Sequence, residues 1–163
     1  AMRARFKRGS DKFHVDSFDI GAFNDRAHSH LKANFTLQGY AKHLGDEWFI
    51  NMNLFKLYEH EEIDYPKRKM PIEMHFLNRR KYVVVLNIPD GYDVSYLPAG
   101  KTYRNAIWGF KMTYEKKGKQ LVFTQEFDND HLMLQPDQFA DWNKVLENLF
   151  PLYRETISLQ KKS

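Results

Sequence analysis

The sequence predicts a mainly β fold: an antiparallel β-sandwich with one C-terminal α-helix packed on it, followed by a final strand. Three observations carry this expectation. In residues 81–98, Tyr82, Val84, Leu86 and Ile88 alternate with Lys81, Val83, Val85 and Asn87, a period-2 pattern in a β-branched run. Farther on, two alternating runs flank Lys116-Lys117-Gly118-Lys119, a hairpin turn with glycine available for positive φ. Between residues 136 and 150 the period changes to that of a helix, and Phe139, Trp142, Val145, Leu146 and Leu149 form one apolar stripe.

Taken in order, Phe13 and Val15 followed by Phe18 and Ile20 predict a first strand whose phase slips at Asp16-Ser17, as a β-bulge would cause. Ala33, Phe35 and Leu37 alternate with polar residues in a second strand, and Trp48, Ile50, Met52 and Leu54 make a third. The intervening His43-Leu44-Gly45-Asp46 predicts that these two form a hairpin. Ile72, Met74 and Phe76 alternate with Glu73 and His75. The strand at 81–88 ends at Pro89-Asp90-Gly91, where proline presets φ and glycine tolerates positive φ, before Val94 and Tyr96 resume the alternation.

Ala106, Trp108, Phe110, Met112 and Tyr114 line one face of a long strand, and Leu121, Phe123 and Phe127 line its partner. Pro136 suits a first helical position and Asp137 the positive end of the helix dipole, while Pro151 disfavours helical geometry at Phe150 and predicts an end or kink there. Ile157 and Leu159, alternating with Thr156, Ser158 and Gln160, return the chain to a sheet.

Length and composition fit one compact domain. A chain of 163 residues buries roughly 70% of the surface it exposes when unfolded. With 42% hydrophobic and 15% aromatic residues the core can be large. The mean hydropathy of -0.67 reflects the 28% of charged residues on wet strand faces. We expect residues 1–11 to be a scar and basic linker and residues 12–163 a single β-sandwich domain. Ala1 before Met2 has the look of an expression scar, so a longer natural chain is expected.

The net charge of +4 comes from 25 Lys and Arg against 21 Asp and Glu spread along the chain. Nucleic-acid binding requires basic residues gathered on one face with aromatics for stacking, and no such gathering exists. Arg3, Arg5, Lys7 and Arg8 crowd the N-terminus, and Lys67, Arg68 and Lys69 sit between Pro66 and Pro71. Both clusters read as solvated segments. No run of about 18 apolar residues is present, so no membrane insertion is expected. The basic start is not followed by the apolar stretch of a signal peptide.

Candidate chemistry is sparse. The chain has no cysteine, which removes disulfides, thiolate metal sites and cysteine nucleophiles together. His28 and His30 would share one face of an extended segment, half of a metal site. A third ligand from Asp25, His43 or His60 is not fixed by the sequence, and a polar loop is the simpler account. Glu59, His60, Glu61, Glu62 and Asp64 form an acidic patch without the glycine and alternation of a calcium loop, so it reads as a solvated loop. No G-x-S-x-G turn and no Gly-rich phosphate loop occurs. The chain carries 3 Trp, 9 Tyr and 13 Phe. Trp48, Trp108 and Trp142 are the obvious candidates for a sugar-stacking platform, but all three fall in phase with apolar neighbours and read as core.

The order of segments resembles the C-terminal β-sandwich domain of bacterial transglutaminase-like envelope proteins. In that family this module follows an N-terminal β-sandwich of unknown function and a papain-like transglutaminase core. The residues that carry the resemblance are Phe49-Ile50-Asn51-Met52-Asn53-Leu54-Phe55, Lys69-Met70-Pro71-Ile72-Glu73-Met74, and Ile88-Pro89-Asp90-Gly91-Tyr92-Asp93-Val94 with Leu97-Pro98. Phe139 and Trp142 of the helix and Ile157-Ser158-Leu159-Gln160-Lys161-Lys162 complete them. Asn51-Met52-Asn53 departs from a pattern that usually has proline after the asparagine, and Pro151 falls where similar helices continue.

The resemblance implies a non-catalytic accessory domain that packs against or positions a neighbouring transglutaminase-like domain of the same chain, in the periplasm or cell envelope. The family's reaction belongs to a cysteine, histidine and aspartate in its central domain, so no catalytic residue carries over. No catalytic, cofactor-binding or metal residue is expected here, and no cofactor. The alternative reading is a β-sandwich module that binds a glycan or another envelope component.

Overall fold

In the computed structural model of the chain, residues 13–20, 31–75 and 77–162 are described. The chain divides into two compact units, Ala1–Lys42 and His43–Ser163, a division that falls inside the span 12–163 read from sequence as one domain. In the first unit, β1 (Phe13–Ile20) and β2 (Leu31–Leu37) pair antiparallel from Phe13 opposite Leu37 to Ile20 opposite Leu31. The register slips between Val15 and Ser17, at the bulge that the phase change anticipates. Asp16 and Ser17 are tied across the pair, where the Thr36 hydroxyl donates to Asp16 at 3.0 Å and the Asn34 amide to Ser17 at 2.9 Å.

The second unit is built on two four-stranded antiparallel sheets. One runs in the order β6 (Asn78–Asn87), β10 (Gln120–Asn129), β9 (Trp108–Lys117), β8 (Lys101–Arg104). The other runs β3 (Lys42–Leu44), β4 (Glu47–Ile50), β12 (Ile157–Lys161), β7 (Tyr92–Tyr96). A short pair, β5 (Ile72–Glu73) with β11 (Met133–Leu134), lies apart from both. The helix α1 (Phe139–Leu149) enters through a 3-10 turn at Pro136–Gln138 and leaves through another at Phe150–Arg154. The mainly β architecture, the C-terminal helix and the final strand follow the sequence expectation.

All five residues of the predicted helical stripe, Phe139, Trp142, Val145, Leu146 and Leu149, are buried. They share one core with Leu121, Phe123 and Phe127 of β10, Trp108, Phe110 and Met112 of β9, and Ile157 and Leu159 of β12. Helix entry is closed reciprocally: the Gln138 side chain accepts from the Gln135 backbone N–H at 2.9 Å, and the Gln138 N–H donates to the Gln135 carbonyl. At Pro151 the α-helix ends and the tighter turn takes over, because proline cannot donate to the helical ladder. The hairpin of β9 and β10 turns at Gly118, whose φ is +58°.

Three expectations are corrected. The second and third predicted strands do not form a hairpin: β2 pairs with β1, and β4 pairs with β3 and β12. The turn at Gly45 (φ +60°) is real but joins the short β3 to β4. The third strand ends at Ile50 rather than Leu54, because Asn51 and Asn53 turn to partners outside any sheet. The strand predicted at 72–76 contracts to Ile72–Glu73, and Phe76 lies outside the described residues.

Pro89-Asp90-Gly91 closes as expected, with Gly91 at φ +82° and the Tyr92 N–H donating to the Pro89 carbonyl at 3.2 Å. The strands it joins are not paired with each other. β6 belongs to one sheet and β7 to the other, so the turn is a corner between layers.

Candidate functional site

A trough of about 430 Å³ lies on the outer face of the first sheet. Residues directly opposite one another across a ladder share a face, so the register fixes its floor. One row runs Arg104, Gly109, Asp128, Arg79, and the next runs Thr102, Lys111, Glu126, Lys81. Gly109 makes the trough. A Cβ there would lie 2.8 Å from Cβ and Cγ of Arg104 and 3.0 Å from the Tyr103 carbonyl, so only glycine lets the Arg104 stem cross the sheet.

From that position Arg104 pairs with Asp128 and, at 2.8 Å, with Asp130. Arg79 approaches Asp130 from the other side at 3.4 Å, and Lys81 pairs with Glu126 at 2.8 Å. The hydrogen bond from Arg104 holds the Asp130 carboxyl below its ordinary range, and that from Lys81 does the same for Glu126. Carboxylates lowered in this way stay ionised at neutral pH and are poor proton acceptors there. The trough is thus a lattice of alternating charge suited to holding strands in register.

A second polar group lies in the core. Gln125, fully buried on the inner face of β10, donates from its amide to Oδ1 of Asn53 at 2.9 Å. Asn53 donates in turn to the Leu152 carbonyl at 3.1 Å, and Asn51 donates to the Tyr153 carbonyl at 2.8 Å. These bonds clamp the segment after β4 to the 3-10 turn after the helix. The Tyr153 hydroxyl donates to the Leu57 carbonyl at 2.6 Å, and burial raises its pKa. Burial likewise pushes the Tyr114 phenol up to about 12.

The acidic loop is exposed as expected, and its one apolar residue anchors it. Ile63 is buried, and its backbone exchanges two bonds with the Asn143 amide, at 2.9 and 2.8 Å. The Trp142 indole donates to the Glu61 carbonyl at 3.0 Å. Tyr58 and His60 adopt φ of +63° and +73°, unfavourable for side chains of their size. The Tyr58 ring packs against Trp108 at 4.6 Å and Trp142 at 5.6 Å, and this contact holds the turn. Glu59 and Asp64 face Lys56 and Lys67 rather than a shared centre.

Of the other sequence candidates, His28, His30 and Asp25 lie outside the described residues, as do Arg3, Arg5, Lys7 and Arg8. The His43 ring lies tilted against Trp48 at 4.4 Å, and His60 sits in the turn at the acidic loop. Among the described residues no group of three His, Asp or Glu converges on a metal position. Trp108 and Trp142 are buried, whereas Trp48 is half-buried. Arg68 of the Pro-bracketed loop donates to the carbonyls of Met70 and Pro71. The described helix is too short to cross a membrane. Sequence reasoning missed the charge lattice, because its members are brought together only by register, and it missed Gln125, a polar residue in phase with an apolar face.

Residues 46–159 match the family model of a domain of unknown function, DUF3858, and the chain belongs to that family. Among solved structures, a protein of Parabacteroides distasonis, described as a protease without established activity, is similar at 11% identity with a TM-score of 0.49. The match covers 58% of this chain and 19% of that one, so the chain spans about a fifth of the length of its structural relative. No curated protein matches.

Proposed function

We propose that this chain is a non-catalytic accessory module of a transglutaminase-like protein of the bacterial envelope, packing against or positioning a neighbouring catalytic domain. The observation that carries the reading is what the resemblance-bearing residues do. Asn51 and Asn53 clamp the helix exit, and Pro89-Asp90-Gly91 forms the corner between sheets. The Gly91 carbonyl accepts from Lys162 at 2.7 Å, and Ser158 of β12 shares a hydrogen bond with Ser95 of β7 at 2.7 Å. Residues engaged in holding their own fold suit a module whose contribution is shape and contact.

The test is to express the full natural chain and compare its activity and thermal stability with a version lacking this module. A loss of either is expected, and no change in both would overturn the reading. Glycan binding is the weaker alternative, since the rings of Trp108 and Trp142 are enclosed in the core.

A further inference from the structure

We propose that β6 is an interface between two copies of this chain, which pair antiparallel about a two-fold axis at Val84 and join their first sheets into one. This goes beyond the accessory role and stands independently of it. Among the described residues β6 ends its sheet, with β10 on one side only. The Ile88 N–H donates to the Lys119 carbonyl at 2.8 Å, which sets the phase of the ladder. Backbone groups alternate sides along an antiparallel strand, so Tyr82, Val84 and Leu86 direct theirs to β10. Lys81, Val83, Val85 and Asn87 direct theirs to the open edge. No hydrogen bond occupies those edge groups among the described residues.

The occupant follows from the order of side chains. Lys81-Tyr82-Val83-Val84-Val85-Leu86-Asn87 repeats the same residue classes in both directions from Val84: polar, large apolar, three valines, large apolar, polar. A two-fold at Val84 therefore matches like with like on both faces. On the outer face Val83 lies opposite the partner's Val85 and Lys81 opposite the partner's Asn87. On the inner face Val84 meets the partner's Val84 and Tyr82 meets the partner's Leu86.

Val83 and Val85 are 52% and 49% exposed in the single chain, unusually open for valines in a sheet. Val122, beside Val85 on β10, extends the same apolar patch. Charge does not oppose the pairing. Lys81 and Arg79 are matched within their own sheet by Glu126 and Asp130, and the register places neither opposite a cation. Four facing pairs would exchange roughly eight backbone hydrogen bonds.

The absence of cysteine gives a direct test. In the proposed register Val84 faces its own symmetry mate as a non-hydrogen-bonded pair, with Cα atoms roughly 4.5 Å apart, within disulfide range. The chain should sediment at twice its single-chain mass. V84C should form a covalent dimer under mild oxidation, whereas V83C and V85C, whose residues do not face themselves, should not.

V83K/V85K sets lysine opposite lysine at both valine pairs. It should sediment as a monomer while keeping the circular dichroism and unfolding midpoint of the parent. A monomeric parent would overturn the proposal and leave the edge to a strand from another chain. So would failure of V84C to cross-link, or a dimer that survives V83K/V85K. If the lysine variant does not fold, the cysteine variants decide alone.

Discussion

Asn53 is the residue on which the core's polar network turns. It accepts from the buried Gln125 amide and donates to the Leu152 carbonyl, so Asn53→Ala strips the Gln125 amide of its acceptor and leaves the Leu152 carbonyl with only the Glu155 N–H, at 3.2 Å. We expect it to lower unfolding free energy by about 1–3 kcal/mol, the cost of one orphaned buried group; urea denaturation would measure it. Tyr114 makes a prediction at alkaline pH. Its folded pKa of about 12 lies above the ordinary value of 10.0, because burial disfavours the phenolate. Above pH 10 the unfolded chain loses the proton first, so stability is complete below that value and declines as pH rises toward 12. Tyr153, shifted in the same direction, steepens the decline. The thermal midpoint should fall from pH 10 upward, and less steeply in Y114F than in the parent.

At the scale of elements, two glycines set strand spacing. A Cβ on Gly100 would lie 2.7 Å from the Met112 backbone carbonyl, a contact that only backbone movement could relieve. At Gly109 the clash is with Cβ of Arg104, which its backbone fixes in place, and with the Tyr103 backbone carbonyl. Gly100→Ala and Gly109→Ala should therefore each cost about 2–3 kcal/mol, on the scale of overpacking. Chemical denaturation of each variant beside the parent measures both costs.

The elements themselves were largely legible. Alternation located β6, β7, β9 and β10, helical spacing found α1, and the phase slip at Asp16-Ser17 marked the bulge in β1. Pairing partners were less so. The sequence shows the turn at Gly45, but its alternation points to 33–37 as the strand entering it, because β3, three exposed residues, carries no hydrophobic period. The trough could not be read at all. Arg79, Arg104, Gly109 and Asp128 occupy four strands, and only the register puts them in one row.

For the whole molecule, the division at Lys42 has a thermodynamic consequence. Every residue of the buried core cluster lies between Met52 and Leu159, inside the second unit. Cooperativity follows shared buried surface. A fragment of residues 40–163 should therefore keep a single thermal transition, with near-ultraviolet circular dichroism close to that of the intact chain. Two transitions, or loss of the near-ultraviolet signal, would mean that the core depends on residues before it. Truncation after Glu155 is expected to do the opposite and abolish cooperative unfolding, because it removes Ile157 and Leu159 and with them the strand between β4 and β7.

The position of β12 also governs when the fold can close. It is the last strand in chain order, yet it sits between β4 and β7, which do not touch each other. A ribosome delivers the chain from its N-terminus at roughly 5–20 residues per second. During synthesis the hairpin of β9 and β10 can form as soon as it emerges, since its ladder is local. β4 can pair with β3 across the turn at Gly45, but its other edge and the whole of β7 must wait until Lys161 has been added and released from the exit tunnel. The second sheet is thus completed only after every other strand of this unit has emerged, and in that interval the open edge of β4 and the unpaired β7 are the segments most in need of a chaperone.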